Sequence, residues 1–309
     1  MSRTQLPKAQ QDFDGMPRSS VAAISAKMMS RAGFYTLLNN IRPARYDLMT
    51  KVSRARTLKD DSVNYLTFNR DRFYQTVSAA FSLTDAAAPV ICDMGVFPGG
   101  LIHILAEYSK TVNRRPEFHG AGISITEEFT AYMRERYSAR TYTVNFDPAN
   151  PDFKDKHYLT RTPLADGSVD IVFATEIIEH LLNPIPMLEE AYRILKPGGV
   201  AVVTSPNITR IGNLFKLAAG ISTNDRLIPA GYSNPDDEWR PHAREYSMKE
   251  LADLLSASGF EIAQKTYFIG DQTVFNKKDF KQRLIDCCKI PFHVIPHFRG
   301  YLLIAARKR

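Results

Sequence analysis

The 309-residue chain predicts an α/β fold, a mostly parallel sheet with helices on both faces, preceded by a helical extension. Three observations carry this. From residue 88 onward, short apolar runs alternate with helix-patterned stretches of about 10–15 residues, as strand–helix–strand units do. Before residue 88 only helical periodicity is found. The last two apolar runs, joined through KKDFKQRLIDCCKIPFHVIP, are expected to pair antiparallel. A chain of this length can bury a full core as one large domain with an added segment.

Residues 1–17 are polar and broken by Pro7, Gly15 and Pro17, so a loose N-terminus is expected. Residues 18–85 read as a basic helical extension. Val21, Ile24, Met28, Tyr35 and Leu38 fall near helical spacing, and two further helices are expected over about Ala44–Leu58 and Asn69–Phe81. The domain proper is expected over 86–309. PVICDMG is its first strand and GGLIHILAEYSK a helix. FHGAGISI is the second strand, and TEEFTAYMRERY a helix opened by Thr126 with acids in its first turn. TYTVNF and DIVFATEII are the third and fourth strands. LLNPIPMLEEAYRILKPGG reads as a helix stopped by Pro197-Gly198-Gly199, and VAVVTSPN as the fifth strand. SMKELADLLSASGF is a helix capped by Ser247 and ended by Gly259; FEIAQKTYFI and YLLIAARK complete seven strands.

The net charge of +7 is uneven. Between Met16 and Lys59 stand nine Lys/Arg and one acid, Asp47, so the rest is close to neutral. That segment has two readings: a solvated helical extension, or a contact for anionic lipid, nucleic acid or a phosphorylated substrate. Three cysteines, Cys92, Cys287 and Cys288, make no disulfide framework and read as thiols of a reducing compartment. The longest apolar stretches fall far short of a membrane span. The first residues lack a signal-like apolar core. A soluble, cytoplasmic protein is the expectation, with no prediction of oligomeric state.

In an open parallel sheet, ligands sit beyond the carboxyl ends of the strands. The first such end reads Asp93-Met94-Gly95-Val96-Phe97-Pro98-Gly99-Gly100. It lacks the G-x-G-x-x-G spacing of a dinucleotide site, and its carboxylate would repel phosphates. A cationic ligand suits it better. S-adenosylmethionine carries an ammonium and a sulfonium and no phosphate.

These residues resemble the class I S-adenosylmethionine-dependent methyltransferases over about 89–260. The acid–glycine turn matches at Asp93, Gly95 and Gly99. PLADGSVDIVFATEIIEHLLNP…LEEAYRILKPGGVAVVTSPN resembles the family's fourth strand, next helix and fifth strand. HAREYSMKELADLLSASGFEI resembles its return to the sixth. The resemblance implies a Rossmann-like seven-stranded sheet with its final strand antiparallel, and S-adenosyl-L-methionine as cofactor. It implies cofactor contacts at Asp93, Gly95, Gly99, Ser124, Asp147, Thr175 and Glu176. Two departures stand out: Phe97 takes the place of the turn's middle glycine, and Ser124 that of the acid that usually holds the ribose. Glu127, Glu128 and Asp147 are alternatives for that role.

Methyl transfer to an oxygen requires a proton to leave, and histidine is the natural acceptor near neutrality. His180, just after the fourth strand, and His242, in WRPHAREYS, are the catalytic candidates. Glu176, Glu179 and His180 share a face if that segment is helical. With His242 they resemble the metal-binding arrangement of small-RNA 2′-O-methyltransferases and ubiquinone-pathway O-methyltransferases. No metal is assigned, because Leu181 replaces the second histidine of the RNA-modifying pattern and the Glu-His pair also occurs in metal-free members. Residues 208–245 read as a lid that mixes Phe215, Tyr232 and Trp239 with Arg210, Asn213, Arg226 and Asp236. The expected activity is O-methylation of a small molecule, glycan or glycolipid. The alternatives are an RNA or protein methyltransferase that uses the basic segment, and a non-catalytic binding protein.

Overall fold

The structure, a computed structural model, describes residues 29–41, 69–123, 125–148, 150, 158–224, 242–270 and 289–309. Ser124, Trp239, Cys287, Cys288, the helix expected over 44–58 and most of the basic segment lie outside the described residues.

Among the described residues of the extension, α1 (Arg31–Asn40) is opened by Ser30, whose hydroxyl accepts from the Gly33 N–H at 3.1 Å. A second described helix is α2 (Arg70–Ser82). Phe34, Leu38, Phe73, Val77 and Phe81 are buried in the core layer that also holds Ile91, Ile102 and Val202. Phe34 and Phe81 pack on Tyr108 with ring centroids 5.9 and 5.3 Å apart. Helices α1 and α2 are therefore part of the core on one face of the sheet, since exposing several aromatic rings would cost about 2 kcal/mol each.

The remaining elements follow the predicted alternation. β1 (Val90–Met94), α3 (Gly100–Thr111), β2 (Glu117–Gly122) and α4 (Glu127–Tyr137) come first. β3 (Arg140–Thr143), β4 (Val169–Thr175), α5 (Ile185–Ile194) and β5 (Leu195–Pro206) follow. α6 (Ile211–Ala218), α7 (Met248–Ala257), β6 (Phe260–Phe268) and β7 (Tyr301–Lys308) complete the order. The seven strands form one sheet in the order β3-β2-β1-β4-β5-β7-β6. Only β7 runs against its neighbours, pairing antiparallel with β5 and β6. A Rossmann-like, mostly parallel sheet of seven strands is thus present.

Local chemistry accounts for the boundaries. Thr126 caps α4, its hydroxyl accepting from the Phe129 N–H. Ser247 and Glu250 form a reciprocal capping box at α7. Gly259 leaves α7 with φ +93°, left-handed backbone that favours glycine. Two expectations need correcting. The third strand is shorter than TYTVNF, because Val144 makes only an isolated bridge to Leu159. The helix before β5 ends at Ile194, not at Pro197-Gly198-Gly199. The carbonyls of Arg193 and Ile194 accept from the N–H groups of Gly167 and Ser168, and Leu195 is already paired with Val169.

Candidate active site

The strand order turns from β1 toward β2 on one side and toward β4 on the other, so the crevice lies beyond the tips of β1 and β4. Asp93 is buried at the first tip. Its Oδ1 meets no hydrogen-bond partner among the described residues, and burial pushes the carboxyl up to about 7. The turn after it is shaped by two glycines with left-handed backbone, Gly95 (φ +89°) and Gly99 (φ +88°). A Cβ at Gly95 would lie 3.0 Å from Ile177, and one at Gly99 only 2.8 Å from the Met133 sulfur, so side chains are excluded by space as well as by φ. The Gly95 N–H donates to the Ala121 carbonyl at 2.7 Å, which fastens the turn to β2. Phe97 needs no left-handed backbone; its ring packs on Phe129 at 5.1 Å, away from a glycine's role.

At the tip of β4, Thr175 is half-buried. Glu176 adopts φ +53°, an uncommon conformation for a residue with a side chain. Its N–H donates to the Thr204 carbonyl, and its Oε1 accepts from the Thr204 hydroxyl at 2.9 Å. Its Oε2 lies 3.5 Å from the guanidinium of Arg72, which comes from α2. The chain then makes a single 3-10 turn, Ile178–His180. Glu176 therefore does not share a helical face with Glu179 and His180.

Glu179 and His180 instead meet His242. One ligand-capable atom from each lies within 4.8 Å of the others, and the two imidazole centroids are 4.9 Å apart. The backbone explains this convergence: the Glu179 carbonyl accepts from the N–H groups of Ala243 and Arg244 at 2.7 and 3.1 Å. Glu179 is fully buried and its Oε2 has no hydrogen-bond partner among the described residues. Burial, reinforced by the nearby Glu176 charge, raises its proton affinity well above the ordinary carboxylate range, while Arg72 opposes this. Behind His242, Nδ1 lies 3.3 Å from Glu245. Burial works against the Glu245 charge, but hydrogen bonds from His242, Arg210 and Asn213, with the Arg210 charge, hold its carboxyl down at about 2.

Asp147, one of the expected cofactor contacts, is engaged by backbone of the neighbouring loop. Its Oδ2 and Oδ1 accept from the N–H groups of Leu182 and Asn183 at 2.7 and 3.1 Å, tying the loop after β3 to the loop after β4. Glu127 and Glu128 stand exposed in the first turn of α4. Two residues of this neighbourhood escaped sequence reasoning. Glu245 stood three positions after His242, within reach of a spacing argument. Arg72 offered no signal, because its partner lies on a strand tip 104 positions away.

Comparison with known proteins agrees with this geometry. A methyltransferase domain model matches residues 93–203. A probable S-adenosylmethionine-dependent methyltransferase of Mycolicibacterium smegmatis is 31% identical over 141 residues, covering 46% of this chain and 43% of that protein. A malonyl-[acyl-carrier protein] O-methyltransferase of Marinomonas sp. is 26% identical over 140 residues, 45% of this chain and 46% of its own. A ubiquinone biosynthesis O-methyltransferase of Marinobacter nauticus is 30% identical over 108 residues, 35% and 42% of the two chains. The chain thus spans less than half the length of these curated relatives. Its sheet order, its acid–glycine turn and the matched domain agree on one assignment: residues 93–203 form a methyltransferase domain, on a fold like that of the class I S-adenosylmethionine-dependent methyltransferases.

Proposed function

We propose that this protein is an enzyme that transfers a methyl group from S-adenosylmethionine to an oxygen of a small-molecule, glycan or glycolipid acceptor. The cofactor fits the residues at β1. The buried carboxyl group of Asp93, whose Oδ1 meets no partner among the described residues, is suited to a ligand that brings positive charge, and the Gly95 and Gly99 turn beside it packs closely on Ile177 and Met133. Asp93 would hold that ligand, with Gly95, Gly99 and Thr175 beside it. When bound, the cofactor supplies a methyl group already activated on a sulfonium, so the protein's work is alignment and proton removal.

The observation that carries the oxygen acceptor is the pair of imidazoles backed by an ionised carboxylate. Glu245 orients His242, and His180 stands beside it, so an acceptor hydroxyl placed between them can pass its proton to a ring nitrogen. Two of the relatives compared above carry O-methyltransferase names, which supports the same reading. His180→Ala and His242→Ala are expected to lower turnover by about a hundredfold or more while leaving cofactor affinity, measured by calorimetry, nearly unchanged. Normal turnover by both variants on the true acceptor, found with labelled cofactor and host extracts, would refute the assignment.

A second reading rests on the approach of Glu179, His180 and His242. Two imidazoles and a carboxylate are a donor set for a divalent ion, and ionising Glu179 against its burial is what such an ion would do. The ion would then hold the acceptor oxygen and lower its proton affinity. Exhaustive chelation is expected to abolish activity on this reading; full activity in chelator removes it and leaves the imidazole base.

A further inference from the structure

Among the described residues, ten large apolar side chains are strongly exposed, and eight of them fall in just two segments, 214–221 and 290–295; the other two are Leu159 and Leu182. In α6 the exposed side chains include Leu214, Phe215 and Leu217, at 37, 48 and 58% exposure. In the second segment Phe292, Val294 and Ile295 stand out, Val294 at 78%. The two segments form one surface. Phe215 and Phe292 meet edge to face with centroids 5.9 Å apart. Asn207 donates to the carbonyls of His297 and Arg299 at 2.7 Å, and Thr209 donates to that of His297 at the same distance. A contiguous apolar patch of this kind marks an interaction site.

We infer that this patch is an interfacial surface that docks the protein on an anionic lipid bilayer. The charges select the occupant. Residues 206–224 and 289–309 contain no acid, whereas Lys216 stands between Phe215 and Leu217 and Lys289 adjoins Ile290. Apolar side chains flanked by cations suit the boundary between acyl chains and anionic headgroups. A second copy of the chain suits it less well, because a two-fold contact would bring Lys216 toward its own copy in an apolar centre, where lysine is disfavoured. Arg210, which caps α6, and Asn213, on its buried side, reach Glu245 and through it His242. Docking by the exposed side therefore puts the membrane next to the imidazole pair. The docking does not depend on the methyl-transfer reading, and it is measured without cofactor or acceptor.

The test is co-sedimentation of the full chain with vesicles of phosphatidylcholine alone and of phosphatidylcholine mixed with phosphatidylglycerol. Binding to the mixed vesicles, weakening as salt rises, is expected. Phe215→Ser combined with Val294→Ser should lower the partition coefficient by about tenfold or more, with a cooperative thermal transition retained, because Val294 is largely exposed and Phe215 gives up its contact with Phe292 at the surface. Lys216→Glu combined with Lys289→Glu should erase the preference for phosphatidylglycerol and leave the fold intact. Three results overturn the inference: wild-type protein that stays in the supernatant; both double variants binding as tightly as wild type, which would assign lipid contact to the basic 16–59 segment; or a dimer in sedimentation velocity that the Phe215/Val294 variant disperses, without vesicle binding.

Discussion

The carboxyl group of Asp93 sits buried at the tip of β1, and burial raises its proton affinity from an ordinary 3.8 to about 7. The sign of the consequence follows from linkage. Between those two pH values the unfolded chain releases a proton that the folded chain retains, so stability falls as pH rises through that window and levels off above it. The shift corresponds to about 4 kcal/mol lost by neutral to mildly alkaline pH. Asp93→Asn removes the titration while keeping the shape. At about pH 8 this variant, without ligand, is expected to melt higher than wild type and to bind S-adenosylmethionine far more weakly. An unchanged melting temperature would mean that the carboxylate has found solvation, and undiminished binding would remove it from the cofactor site. The E-x-x-E-H run was legible as a cluster, but its geometry was not. The left-handed backbone of Glu176 sends that side chain toward Thr204 and Arg72, and only Glu179 and His180 turn toward His242. Backbone conformation of that kind leaves no mark in residue type when the residue is not glycine.

Between elements, the contact of α2 with the tip of β4 decides whether the helical extension belongs to the site. Arg72 is buried, lies 3.5 Å from Glu176, and its charge counters the rise in proton affinity of Glu179. Removing one member of such a pair leaves charge uncompensated, at a cost of about 3 kcal/mol. Arg72→Met is therefore expected to lower stability by about that amount in urea unfolding and to reduce turnover, with Arg72→Lys recovering part of both. A loss of stability without any loss of turnover would make α2 a packing element only. Much of the element structure was readable because its signals are local. Thr126 and Ser247 cap within three residues, and the apolar runs of β1, β4 and β5 need no distant partner to be recognised. Arg72 and the loop tie at Asp147 depend on partners 104 and about 35 positions away, and no spacing rule reaches that far.

For the molecule as a whole, chain order and sheet order part company at the end. β7 follows β6 in the chain, yet it lies between β5 and β6. Leu302, Leu303, Ile304, Ala305 and Ala306 are all fully buried there. Until β7 inserts, β5 lacks a partner on one side and β6 has no strand beside it, so both present unpaired backbone and apolar faces. Both core layers also depend on it, with Leu303 and Ala305 on one face and Leu302, Ile304 and Ala306 on the other. Folding should accordingly be a single cooperative event that waits for residues 301–309. A chain ending at Gly300 is expected to lose the sharp thermal transition of the full chain, to expose apolar surface to a dye such as ANS, and to aggregate. Adding the peptide 301–309 in trans should restore part of the transition, because a strand inserted between two waiting edges needs no covalent link to pair. A truncated chain that still melts cooperatively near the wild-type temperature would show that β1 to β5 carry the stability alone and that β7 only covers an edge.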